Sequence, residues 1–171
     1  WAESLLLTLI EEAEELMSEN PSYNSCANFM LTATMGLNGF IAMGVEEDWA
    51  THMIGHELTA LCGLDHGETL AIVHPALMDV MREEKKGKLL QYAKRVWGIN
   101  LEDENKAIDL AIEKTENFFR SIGKKTRLSE NNIGDDVIET IVKRFQDRGW
   151  CVGERGIVTP EKTRQILQRA K

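Results

Sequence analysis

The sequence predicts an all-α domain, a helical bundle of about eight helices. Three observations point there. Leu, Ala, Glu and Lys are abundant, and all four are good helix formers. Proline occurs only 3 times in 171 residues, so few segments are barred from helix. Apolar residues recur at three- and four-residue spacing along most of the chain, while strand-type alternation is scarce. No internal repeat, low-complexity tract or domain boundary interrupts the pattern, so residues 1–171 read as a single domain.

Each element has its own signal. Leu5, Leu6, Leu9, Ile10, Ala13, Leu16 and Met17 form one apolar stripe, predicting a helix over 3–18 that Asn20 and Pro21 end. Residues 22–43 are apolar with small polar residues and no charge, which predicts a central buried helix. Asn24, Asn28, Asn38, Thr32 and Thr34 make this segment a poor membrane span despite its length. Asp48 is a good N-cap for a helix that runs to Cys62 and stops at Gly63. The loop "GLDHG" follows, then a helix over 68–84 in which Pro75 should kink or break the pattern. "EKKGKLLQYAKRVWG" predicts an amphipathic helix closed by Gly98, and residues 102–122 a longer one closed by Gly123. A capped helix is expected over 135–148. A last helix has Thr159 as N-cap and Pro160 at its first position. Between these two, "CVGERGIV" can hold a short extended piece.

Composition excludes several functions. A formal charge of −8 and a pI near 5.1 argue against a nucleic-acid or anionic-membrane surface. No apolar run approaches the roughly 20 residues of a membrane helix, and no signal-peptide pattern opens the chain. Cys26, Cys62 and Cys151 are odd in number and far apart, so they read as buried, inert thiols in a reducing cytoplasm. The chain opens at Trp1, directly inside a helical pattern, and is expected to be a piece of a longer protein.

All four histidines lie in one window, "THMIGHELTALCGLDHGETLAIVHP". His52 and His56 are four apart in a helical pattern and share a face. His66 follows ten residues later, in the predicted loop beyond Gly63, where a turn can return it to that face. Neutral imidazole is a common nitrogen ligand for zinc and iron, so the three suggest a metal site. The bland alternative is three ordinary surface or core histidines. A fourth donor is wanted, and Asp48, Glu57 and Asp65 are near in sequence, although Asp48 is better read as a cap. His74, in an apolar segment before Pro75, reads as a packing or capping residue.

The run "HMIGHELTALCGLDHG" resembles the histidine signature of the iron-dependent alcohol dehydrogenases: His, three residues, His, nine residues, His-Gly. The surrounding sequence and "KLLQYAKRVWGI" are similar to the branch holding NADPH-dependent aldehyde reductases and butanol dehydrogenases. The resemblance runs over nearly all of the chain. It implies the helical C-terminal half of a dehydroquinate-synthase-like fold, with the N-terminal dinucleotide-binding domain absent from these residues. It implies a divalent Fe²⁺ or Zn²⁺, with NADP(H) or NAD(H) held mainly by the missing half. It also implies a small alcohol or aldehyde substrate, a cytoplasmic location and a homodimeric parent enzyme. Carried over by position, His52 and His66 are metal ligands. His56 is not; it lies between metal and nicotinamide and serves in positioning or proton transfer. The family's other two ligands, an Asp-x-x-x-His pair, are expected before Trp1. Asp48 and His52 reproduce that spacing by coincidence. No glycine-rich phosphate-binding loop occurs here. On this reading the isolated 171 residues hold metal weakly and do not turn over substrate.

Two other functions fit parts of the pattern. A helical metal-dependent hydrolase would use Asp48, His52, His56 and His66 together. A non-catalytic helical module would bind a partner through the apolar segment 25–43 and would not need the histidines.

Overall fold

The structure, a computed structural model, describes residues 1–171. It holds eight α-helices: α1 (Ala2–Leu16), α2 (Tyr23–Leu37), α3 (Ala50–Cys62), α4 (His66–Val80), α5 (Lys86–Arg95), α6 (Glu104–Ser121), α7 (Asp135–Asp147) and α8 (Pro160–Arg169). Short 3-10 turns occupy Ser129–Asn131 and Glu154–Gly156. No sheet forms. The piece read as extended contributes a lone antiparallel bridge between Val152 and Val158, with both N–H···O distances 3.0 Å.

The central helix is α4, where the sequence pattern had pointed to residues 22–43. Thr69, Ala71, Ile72, Val73, Pro75, Ala76, Leu77 and Met78 are all buried, so α4 has no broad solvent face between them. On one side it packs with α3, α7 and α8 around Ile54, Leu58, Ile72, Ile141, Phe145 and Ile166. On another it meets α5 and α6 through Met78, Leu89, Ile108 and Ile112. By contrast, α2 buries only Ser25 and Thr32. It pairs with α1 and leaves Phe29, Met30, Leu31 and Leu37 exposed. A lack of charge makes a helix fit for burial, but packing partners decide whether it is buried, and α2 has mainly α1.

Boundaries shift for local reasons. The fourth helix begins at His66, two residues earlier than its pattern suggests, and ends at Val80. It runs through Pro75 without a break, since the burial of the surrounding residues offsets the lost backbone hydrogen bond. Thr159 caps α8 through its side chain, accepting from Lys162 N at 3.3 Å, with Pro160 next as expected. All three cysteines are free, as thiols in no disulfide framework should be, but they are not buried as expected: Cys151 is exposed, and Cys26 and Cys62 are only half-buried. Cys151 lies in the loop after α7, outside the core. No helix is long and apolar enough to cross a membrane.

Candidate functional site

Two helices and the tight turn between them position the imidazoles. Asp48 stands two residues before α3. Its Oδ1 accepts from Ala50 N at 2.8 Å, and its Oδ2 accepts from Lys85 Nζ at 2.6 Å. The cap position itself falls on Trp49, one residue later than expected. His52 and His56 then follow on adjacent turns of α3. The helix ends where Gly63 takes the left-handed conformation (φ 70°) and donates its N–H to Thr59 O at 2.9 Å. Leu64 and Asp65 complete the connection. The carbonyl of Asp65 accepts from Glu68 N and Thr69 N, both at 3.0 Å, and opens α4. His66 is therefore the first residue of a helix and not a loop residue. Its carbonyl accepts from Thr69 Oγ1 at 2.8 Å, which ties its turn to the helix interior.

The helices approach closely because α3 carries Gly55 where it faces Thr69. A Cβ at 55 would sit 2.8 Å from Thr69 Oγ1. Gly55 lies between the two histidines of α3, and Thr69 one turn beyond His66. Their contact sets how near the start of α4 comes to the histidine face.

The structure brings His52, His56 and His66 together and leaves His74 apart. Ring centres are 5.2 Å apart for His52 and His66, 5.2 Å for His56 and His66, and 6.3 Å for His52 and His56. His52 is half-buried, while His56 and His66 are exposed. Desolvation holds the His52 imidazole below its ordinary pKa, helped by His66 and then His56, so it is neutral at pH 7 and its ring nitrogen is open to a ligand's role. His74 sits on α4 with Nδ1 3.5 Å from Thr51 Oγ1. Burial pushes it down to about 4, so the sequence reading of a packed residue describes it well.

A cation shared by two imidazoles would fix the spacing of their rings. A ligand nitrogen sits about 2.1 Å from zinc, which puts an imidazole centre about 3.2 Å from the ion. Two rings at a tetrahedral angle then have centres about 5.2 Å apart, and the limit for opposite rings is about 6.4 Å. His66 with either His52 or His56 fits one ion. His52 with His56, at 6.3 Å, does not fit the tetrahedral arrangement. Imidazole nitrogens are donors of a kind that suits a divalent transition metal. No group of three or more His, Cys, Asp or Glu side chains is arranged to hold a metal alone. Asp48 does not join the set, since its oxygens are engaged by Lys85 and Ala50. Glu57 does not join either: it is buried and paired with Arg144 and Arg148 of α7. The four-residue hydrolase site needs both Asp48 and the His52–His56 pair, so the geometry disfavours it.

Two contributors escape a reading of the sequence for chemistry. Gly55 reads only as a weak spot in a helix, and its partner Thr69 is unmarked. Trp49, whose ring centre lies 4.8 Å from that of His52, gives no sign beyond being an aromatic residue before a helix. A cavity of about 680 Å³ lies between α1 and the α4–α6 layer, with Leu6, Tyr92, Trp97 and Phe118 in its walls. None of the three clustered imidazoles lines it.

Comparison with known proteins agrees with this arrangement of helices. Residues 1–170 match the C-terminal part of the Fe-containing alcohol dehydrogenase family. The chain is 45% identical over 172 aligned positions to the NADPH-dependent aldehyde reductase YqhD of Escherichia coli K12, covering 100% of this chain and 44% of that protein. It is 30% identical to NADH-dependent butanol dehydrogenase A of Clostridium acetobutylicum, with 99% and 44% covered. Among solved structures, the substrate- and cofactor-free form of E. coli aldehyde reductase YqhD superposes with a TM-score of 0.94 at 45% identity, covering 99% of this chain and 45% of that one. The Thermotoga maritima NADH-dependent butanol dehydrogenase A superposes with a TM-score of 0.89 at 30% identity, with 98% and 44% covered. The chain thus spans less than half the length of the relatives it matches. With nearly every residue matched and the same helical architecture, this chain belongs to the Fe-containing alcohol dehydrogenase family, as its C-terminal helical part.

Proposed function

We propose that this chain is the metal-binding part of an alcohol dehydrogenase or aldehyde reductase that moves hydride between NAD(P)H and an aldehyde or primary alcohol. The observation that carries the reading is the family match over residues 1–170. Ring spacing admits His66 with either His52 or His56, and the resemblance of the histidine signature to the family's assigns the pair to His52 and His66. Two relatives differ in cofactor, one NADPH-dependent and one NADH-dependent by name, so the reading takes either nucleotide. It includes a cytoplasmic enzyme working as a homodimer when whole.

Each residue then has a separate task. His52 and His66 would hold the ion through one ring nitrogen each. A bound divalent iron or zinc ion supplies Lewis-acid polarisation of the substrate oxygen. The half-buried His52 ring is neutral at pH 7 without help, so no proton need leave it on loading. His56, exposed and beside His66, takes or gives the alcohol proton at a ring nitrogen and orients the nicotinamide. All three rings stand on rigid helices, which suits a site needing sub-ångström placement. The two imidazoles leave half of a four-ligand shell to other donors, so these 171 residues alone bind the ion weakly and do not reduce aldehydes.

Cobalt or zinc titration of His52→Ala, His66→Ala and His56→Ala tests the assignment. The first two should lose binding and the third should keep most of it. In a chain of the relatives' length, His56→Ala should retain metal and lose about 10²–10⁴-fold in kcat with butyraldehyde and NADPH. Submicromolar metal binding by the 171 residues, or NADPH-dependent turnover by them alone, refutes the two-ligand reading.

A further inference from the structure

We propose that Trp49 is a positioning residue for His52: its indole fixes the ring orientation of the imidazole assigned to the metal. The inference rests on that assignment. The two ring centres are 4.8 Å apart with planes inclined at 64°, an edge-to-face contact. The residues are three apart at the start of α3, so they lie on one face of the first turn.

The support beneath Trp49 is stiff. Its carbonyl accepts from Met53 N at 2.9 Å, which locks it to the turn carrying His52. Its neighbour Asp48 is held by Lys85 and by Ala50 N. Trp49 itself is 42% exposed, so its ring is not needed to fill the core.

A metal-ligating histidine is usually oriented by a hydrogen bond from its second ring nitrogen to a carboxylate or carbonyl. His52 has no such partner here; the one side-chain hydrogen bond to an imidazole in this chain joins Thr51 to His74. With no hydrogen bond to hold the ring, packing must. The indole is placed to supply it at 4.8 Å, with the His66 and His56 rings further off at 5.2 and 6.3 Å. An aromatic edge-to-face contact of this kind corresponds to about a two- to tenfold effect on an equilibrium.

The test uses the 171-residue chain and its Trp49→Phe, Trp49→Leu and His52→Ala variants. Without metal, NMR should find the His52 ring protons displaced by the indole ring current. The displacement should vanish in Trp49→Leu and partly persist in Trp49→Phe. Titration with Co²⁺ should show binding about two- to tenfold weaker in Trp49→Leu, largely recovered in Trp49→Phe. Wild-type His52 shifts and Co²⁺ affinity in Trp49→Leu overturn the proposal, and so does equal loss in the Phe and Leu variants. If His52→Ala leaves Co²⁺ binding intact, the metal assignment fails instead, and the ring-current result still decides whether Trp49 orients His52. The exposure of Trp49 and the half-buried position of His52 predict that all three variants fold, which their amide spectra check.

Discussion

Gly55 of α3 and Thr69 of α4 touch at the crossing of the two helices that carry the clustered histidines. A Cβ at 55 would lie 2.8 Å from Thr69 Oγ1 and 3.3 Å from Thr69 Cβ. The same Thr69 hydroxyl donates to His66 O at 2.8 Å. A glycine on one helix therefore governs the distance between His52 and the turn that presents His66.

Replacing Gly55 with Ala should force the helices apart or rotate the Thr69 hydroxyl off His66. Overpacking of this kind costs about 1–3 kcal/mol, and the better helix propensity of Ala returns up to about 1 kcal/mol. Urea unfolding should show a net loss, and cobalt affinity should fall with it. Thr69→Ala removes the nearest atom, so the double variant should be more stable than the two single effects summed. Purely additive effects would mean that the crossing adjusts elsewhere.

Glu57, one residue after His56, fixes the opposite face of α3. It is 7% exposed and bonds to Arg144 Nη1 at 2.7 Å and to Arg148. Desolvation pushes its carboxyl up, but the two guanidinium groups outweigh it and hold the pKa below the ordinary 4.5. The folded state therefore binds its proton less readily than the unfolded chain. The stabilisation is present above about pH 4.5 and is lost as the pH falls through the lower folded value. Glu57→Gln should cost about 1–2 kcal/mol, less than for a fully buried pair, since both arginines can turn to water. The difference from wild type, measured by urea titration, should shrink at acid pH.

His74, against Thr51 at the start of α3, adds a second pH-sensitive group. Part of the residue meets solvent, but its ring is enclosed, and burial lowers it to about 4. Between the ordinary 6.5 and that value, the unfolded chain takes up a proton that the folded chain refuses. Stability should thus be full above pH 6.5 and decline as the pH falls towards 4, by at most about 1.4 kcal/mol per pH unit. His74→Gln should remove this part of the slope in a pH series of thermal unfolding. A slope unchanged by the substitution would assign it to other groups.

Gly63 ends α3 with φ 70°, and nothing lies within 4 Å of a Cβ placed there. The residue is present for its backbone conformation alone. Gly63→Ala should cost about 1–2 kcal/mol. Gly63→Asn, which tolerates the left-handed region better, should cost less. Equal stabilities of the two variants in chemical denaturation would contradict that account.

Much of this protein follows from local chemistry. Spacing in α6, the Thr159–Pro160 start of α8 and the Gly63 stop of α3 depend on neighbours within a turn or two, so they are readable from the chain. The His52–His56 pair belongs to the same class, since a helix places residues four apart on one face. The tertiary structure decided the rest. Residues 22–43 and α4 are both apolar and uncharged in their middle, yet α4 alone is surrounded by helices, because burial requires partners that the local sequence does not name. His66 is drawn beside His52 through a contact between Gly55 and Thr69, fourteen positions apart. Asp48 is withdrawn from the histidines by Lys85, thirty-seven positions away. Local hydrogen bonds set which side of a helix a residue occupies, but only the packing of distant segments sets how near two such sides come.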